Sequence, residues 1–195
     1  SAARPEPPSR GKALFTVREV VLADGTSHYL ARTRTGGDRR FPSVASAVVW
    51  LDCELNAAAV AAARKYLFVH AGAVAAPGGV ILLPGAKGAG KSTLVAGLIN
   101  SGFSYLSDDV VPLVVPTGKA VPFSKPIRLK DGGRRALGAA GHQMAPVVSA
   151  AWPIGESVHL YCAPQPESFR PTRVKWLVFP FYRCGAPTTL TLCSS

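Results

Sequence analysis

Apolar positions follow different rhythms in successive parts of the chain, and each rhythm predicts its own kind of element. Ala13–Val21 and His28–Thr33 carry β-type residues on either side of Asp24-Gly25, a dipeptide that accepts the positive φ of a tight turn. The spacing predicts a small antiparallel N-terminal lobe, followed by a basic loop over Thr35–Arg40. From Ser43 the pattern changes to helical spacing in VASAVVWLDCELNAAAVAAARKY, with Ser43 as N-cap and basic residues at the end, so one long helix is expected to Tyr66. Trp50 and Leu51 read as core contacts on it. Leu67–Ala75 and Val80–Leu83 then flank Pro77-Gly78-Gly79 as two strands and a tight turn. A short helix over Lys91–Asn100 should stop at Gly102, a natural C′ residue, before a strand from Phe103 to Ser107. Val80–Leu83 and Phe103–Leu106 are expected as neighbouring strands of one sheet, with the long helix outside its functional face.

The remainder reads as short strands with proline-rich connections: Val110–Val115, Ala120–Val121, Ile127–Leu129, Glu156–Cys162, Val174–Phe179 and Thr188–Leu192. Lys130–Ala145 is glycine-rich and reads as a loop facing a substrate, with a short helical turn at most. Gln165–Arg173 is a basic, proline-containing loop. Ser1–Lys12, with three prolines, reads as a flexible lead-in that buries too little surface to order itself. The expected class is α/β, organised as residues 1–12 lead-in, 13–66 β-rich lobe and helix, and 67–195 core. No helix follows the last expected strand, so the core is expected to be incomplete at its C-terminal end.

Composition narrows the partners. With 195 residues, 48% of them hydrophobic, the chain can bury one good core. Lysine and arginine number 22 against 11 acidic residues, a formal charge of +11 that favours anionic partners such as nucleotides, acidic peptides or nucleic acid. The basic residues are scattered rather than interleaved with aromatics, so no dedicated nucleic-acid surface is indicated. Cys53, Cys162, Cys184 and Cys193 form no CxxC pair and have no ligand-spaced histidines, which argues against structural zinc and fits a reduced, cytoplasmic setting. Tyr66–Ala86 lacks formal charge, but its glycines and prolines break it as a membrane span; no membrane role and no signal peptide are read from the sequence. A homo-oligomer is compatible with all of this.

The chemistry concentrates after the run Val80–Leu83. Gly85-Ala86-Lys87-Gly88-Ala89-Gly90-Lys91-Ser92, with Thr93 next, is a complete GxxxxGKS loop between a strand and a helix. Its glycines let successive N–H groups turn toward a phosphate, and the helix N-terminus adds partial positive charge. Lys91 is expected to reach the β- and γ-phosphates of a nucleotide, and Ser92 to ligate Mg²⁺. Downstream, Asp108 and Asp109 end a strand, where a carboxylate can serve the metal and a second can take a proton from a hydroxyl; aspartate is also a common turn residue. His70 sits on a strand near the loop, where a buried core histidine is the plainer reading. Lys125 and Arg128 either face a phosphate or simply solubilise.

From His70 to Leu113, HAGAVAAPGGVILLPGAKGAGKSTLVAGLINSGFSYLSDDVVPL resembles the kinase domain of HPr kinase/phosphorylase. The features that carry the match are a His before the loop, GxxxxGKS, one short helix ended by Gly, and the Asp pair after the next strand. The resemblance implies a P-loop kinase core of the HPr kinase/phosphoenolpyruvate carboxykinase-like type with a mixed sheet. It further implies ATP as donor, Mg²⁺, and a serine hydroxyl of a peptide or small protein as acceptor. Asp109 then becomes the proton acceptor, Lys91 and Ser92 the phosphate and Mg²⁺ contacts, Asp108 a metal-side carboxylate, and His70 an active-site residue. The Glu-containing segment that the family carries after its Asp pair has no counterpart, since only Asp131, Glu156 and Glu167 follow Asp109. KWLVFPFYRCGAPTTLTL, residues 175–192, looks like HPr-kinase-related proteins of bacterial peptide-modification clusters, some of which phosphorylate a serine on a precursor peptide. Two alternatives stand beside the kinase. One is a nucleotide-binding regulatory or assembly module that transfers no phosphate, though such a module has no need of a second aspartate. The other is a phosphoenolpyruvate-carboxykinase-like enzyme, for whose second nucleotide-binding lobe 195 residues leave little chain.

Overall fold

The computed structural model describes residues 15–34, 36–141, 146–151, 156–164 and 170–193. The lead-in expected over 1–12 lies outside them, as do residues 142–145 and 165–169 of the two expected loops. The chain begins as β1 (Phe15–Val21) and β2 (Ser27–Thr33), paired antiparallel from Phe15↔Thr33 to Val21↔Ser27. Asp24 closes the turn by accepting from the Thr26 N–H at 2.9 Å and its hydroxyl at 2.6 Å, while Gly25 takes φ +81°. A third strand, β3 (Arg39–Phe41), pairs with β2 where a loop was expected. Arg18 and Arg32 converge on Asp38, at 3.3 and 2.7 Å, and pull this basic stretch back onto the hairpin.

Helix α1 (Val44–Ala62) starts as its sequence predicts, with the Ser43 hydroxyl accepting from the Ser46 N–H at 3.2 Å; such a cap stabilises a helix by about 1 kcal/mol. It stops at Ala62, before Arg64 and Lys65. Ser46, Ala47, Val49 and Trp50 in its first half are buried, and Leu51 is half-buried. By length and composition alone α1 is apolar enough to cross a membrane, with mean hydropathy 1.4.

A seven-stranded mixed sheet follows. It contains β4 (Tyr66–Val69), β5 (Ala71–Ala76), β6 (Gly79–Pro84), β7 (Ser104–Ser107), β8 (Val111–Val114), β9 (Lys119–Ala120) and, from the far end of the chain, β13 (Thr172–Leu177), in the order β4-β8-β9-β13-β6-β5-β7. Helix α2 (Lys91–Asn100) connects β6 to β7. The expectation that β6 and β7 are neighbours is corrected here. The tight turn at Pro77-Gly78 folds β5 onto one edge of β6, from Ala71↔Pro84 to Ala76↔Gly79, so β7 pairs with the free edge of β5 instead. The other edge of β6 is taken by β13 in parallel. Because β5 is antiparallel to both neighbours, the C-terminal ends of β6 and β7 and the N-terminal end of β5 share one edge of the sheet.

Strands β10 (Ile127–Lys130), β11 (Val148–Ala151) and β12 (Ser157–Tyr161) make a second small sheet, ordered β10-β12-β11. Between β10 and β11 lies α3 (Asp131–Gly141), kinked at Gly138. Where a loop is expected over 130–145, residue 130 ends β10 and residues 131–141 are helical. The glycines of α3, which argue against a helix in isolation, allow it to lie close to α2: a side chain on Gly133 would begin 2.7 Å from the Thr93 hydroxyl. The strand expected over Thr188–Leu192 is absent; residues 186–193 are irregular and exposed. Val74, Leu83, Val95, Tyr105, Ile127 and Tyr161 form the core between the large sheet and α2. Ala71, Val80, Leu82, Leu106, Val111 and Ala120 form a second cluster on the other face of the curled sheet. Val49 of α1 packs with Ala150, Val158 and Leu160 of the small sheet.

Candidate functional site

The shared edge of β5, β6 and β7 gathers the residues that the sequence singled out. From β6 the chain enters the glycine loop, where Gly88 and Gly90 take φ +86° and +96°, conformations that side-chain-bearing residues adopt only under strain. Gly90 is the N-cap of α2, and no side chain caps the helix, so its first-turn N–H groups keep their partial positive charge toward the loop. Lys91 is buried and folds back to donate to the carbonyls of Gly85 at 2.8 Å and Ala86 at 3.0 Å. Ala86, Lys87 and Gly88 form the exposed crest of the loop, while Ala89 and Gly90 are half-buried. Thr93 turns toward Gly133 of α3.

Ser92, the second residue of α2, donates its hydroxyl to Asp108 Oδ1 at 2.8 Å. The second oxygen of Asp108 accepts from the Arg128 backbone N–H at 3.1 Å. Asp108 is fully buried, and burial pushes its carboxyl above the ordinary carboxylate range, against the opposing pull of those two hydrogen bonds and of Lys125. Asp109 differs in every respect. It is the one described non-glycine residue with positive φ, at 76°, and its side chain is 51% exposed. Two consecutive carboxylates therefore occupy opposite environments, one bridging into the glycine loop and one at the surface of the edge.

His70 stands in the bend between β4 and β5, at the sheet edge between loop and aspartates. Its Nδ1 lies 3.1 Å from Asp109 Oδ1, and it is exposed, so it is not the buried core histidine of the plainer reading. Lys125 approaches Asp109 from the other side, with Nζ 3.6 Å from Oδ2, although its own side chain is buried. Its segment is fastened alongside β7. Phe123 N–H donates to the Leu106 carbonyl at 3.0 Å, the Ser107 hydroxyl donates to the carbonyls of Val110 and Phe123, and the Tyr105 hydroxyl donates to the Lys125 carbonyl at 2.8 Å. The Arg128 guanidinium is held by α1: it binds Asp52 at 2.7 Å, Cys53 Sγ at 3.0 Å and the Val49 carbonyl at 3.4 Å. Neither basic residue is the solvent-facing solubiliser that an isolated lysine or arginine suggests. Nothing in the sequence around them, beyond their charge, marks Lys125 as a partner of Asp109 or Tyr105 as its support.

Among the described residues no group of three or more His, Cys, Asp and Glu side chains could hold a metal. The Ser92 hydroxyl against a carboxylate is nonetheless an oxygen donor set suited to a hard divalent cation that takes its remaining ligands from phosphates and water. No protein-family model matches this chain, and searches of curated proteins and of solved structures return no match.

Proposed function

We propose that this chain is an ATP-dependent kinase of the HPr kinase/phosphorylase type, with a P-loop core, that phosphorylates a serine or other hydroxyl on a peptide or small protein. The observation that carries the reading is the pairing of Ser92 with a buried Asp108 beside an exposed Asp109, all at the mouth of a glycine loop that holds Lys91. A module that only binds nucleotide needs the first carboxylate and not the second.

The roles divide by environment. The N–H groups of the loop and of the first turn of α2 cradle the phosphates, and Lys91 exchanges its two carbonyl partners for phosphate oxygens. Ser92 and Asp108 would hold Mg²⁺, which supplies charge neutralisation on the triphosphate. Asp109, open to solvent, receives the proton of the acceptor hydroxyl as its oxygen bonds to the γ-phosphorus and the bond to the β,γ-bridging oxygen breaks, releasing ADP. His70 and Lys125, at 3.1 and 3.6 Å, fix the Asp109 carboxylate from two sides.

The test is incubation with γ-labelled ATP, Mg²⁺ and the peptides or small proteins encoded beside this gene. Label on a hydroxyl, lost in Lys91→Ala, is the expected result. ATP binding with no transfer to any acceptor favours the regulatory module, and the absence of ATP binding by calorimetry overturns the phosphate-loop reading itself.

A further inference from the structure

The large sheet sends a second segment off the same edge as the glycine loop. Strand β13 runs parallel to β6, with Leu177 opposite Leu82, and the pairing continues one residue further as the Val178 N–H donates to the Leu82 carbonyl at 2.9 Å. In sheets with parallel neighbours, ligands bind in the crevice between the segments that leave the carboxyl ends of adjacent strands. Here those segments are the loop 85–90 and the stretch 178–183, and they touch. A side chain on Gly85 would begin 3.7 Å from Pro180 Cδ, and one on Gly90 would begin 3.5 Å from Tyr182 Cβ. Alternate residues of the second segment thus lie against the two ends of the loop.

That segment is also unusually aromatic for its exposure. Phe179, Phe181 and Tyr182 are 61, 80 and 61% exposed, and the Arg183 guanidinium lies 5.8 Å from the Phe181 ring centroid. Of these exposed rings, that of Tyr182 is the one whose Cβ lies against the loop, at Gly90, and a nucleotide whose phosphates the loop holds would extend its base away from the loop. We infer that 178–183 is the nucleobase platform of this site, with Tyr182, anchored against Gly90, as the ring on which the base stacks. Stacking of this kind accepts any base. The inference rests on the phosphate-loop reading above.

The experiment compares binding of ATP and of tripolyphosphate by calorimetry, using the full chain and its Tyr182→Ala, Tyr182→Phe and Lys91→Ala variants. Loss of one stacking partner should weaken ATP about five- to hundredfold in Tyr182→Ala, while tripolyphosphate stays within about twofold. Tyr182→Phe keeps the ring and should keep ATP affinity. Equal weakening of both ligands in Tyr182→Ala would mean that Tyr182 only props the loop, and overturns the proposal. Unchanged ATP affinity overturns it too, including when the variant instead raises the KM of a peptide acceptor. A wild-type chain that binds neither ligand, or a Lys91→Ala variant that binds both normally, refutes the phosphate-loop reading, a result distinct from any failure at Tyr182 alone.

Discussion

Replacing Asp108 by Asn isolates what a buried charge costs this fold. The carboxylate has no exposed surface, and burial raises its proton affinity more than its hydrogen bonds lower it. Asparagine is nearly isosteric and keeps both contacts: its carbonyl accepts from the Arg128 N–H, and its amide donates to the Ser92 hydroxyl, which can turn to accept. Hydrogen bonding therefore cancels between the two proteins and the desolvation of the charge remains, a difference of about 1–3 kcal/mol in favour of Asn at neutral pH. For a domain of this size that raises Tm by about 2–4 °C per kcal/mol. The sign reverses in function. MgATP stabilises a protein that binds it by RT ln(1 + [L]/Kd), and this gain should shrink in Asp108→Asn and return in part at raised Mg²⁺. The pH dependence follows from linkage: a carboxyl whose folded pKa lies above its unfolded value binds more protons when folded, so its contribution falls as pH rises from the ordinary carboxylate range through the folded pKa. The advantage of Asn should be small at acid pH, grow across that window and then level off. Thermal melts of both proteins from acid to neutral pH, with and without MgATP, measure all of this. An Asn variant less stable than wild type at neutral pH, or an advantage independent of pH, would refute the reasoning.

Asp109→Asn removes basicity without size, so transfer should fall about 10²–10⁴-fold while ATP affinity stays within a few-fold; single-turnover transfer and calorimetry separate the two. Near wild-type transfer in Asp109→Asn, with Asp108→Asn dead at saturating Mg²⁺, would reverse the roles given to the two aspartates. Lys125→Met keeps the buried stem and deletes the charge 3.6 Å from Asp109; kcat should drop about ten- to hundredfold through a displaced carboxylate, with the KM for ATP little changed. Gly72→Ala tests the packing beneath the site, because a Cβ there would begin 2.5 Å from Val95 Cγ2 of α2. A loss of about 1–3 kcal/mol in the denaturant midpoint analysis is expected, and full stability would show that α2 yields easily.

The legible parts of the chain were those in which local chemistry and tertiary role agree. Ser43 caps α1 because a side-chain acceptor is needed where the helix begins; Asp24-Gly25 turns because both residues suit the turn; the glycine loop leaves a strand and enters a helix as its sequence demands. The illegible parts are set by partners distant in sequence. α3 contains Gly132, Gly133 and Gly138, which weigh against a helix until Thr93 is seen to need the space above Gly133. The place of β5 between β6 and β7 follows from a hairpin occupying an edge, a matter of sheet bookkeeping that no residue of β7 announces. Lys125 and Arg128 looked interchangeable as cations. One reaches Asp109 because Tyr105 and Ser107 fasten its segment to β7, and the other is held by α1.

Arg128 also bears on the order in which the chain assembles. Its main-chain N–H holds Asp108, 20 residues before it, while its side chain holds Asp52, 76 residues before it. Closing the longer of these loops costs more chain entropy and waits on contacts remote in sequence, which slow folding. The β5–β6 hairpin, the glycine loop and α2 are contiguous in sequence and can begin to form early, whereas β13 on the other edge of β6 and the acidic corner both wait on remote contacts. On the proposed reading, nucleotide binding in the presence of Mg²⁺ should recover after far-ultraviolet circular dichroism during refolding, and Asp52→Ala should lengthen that lag.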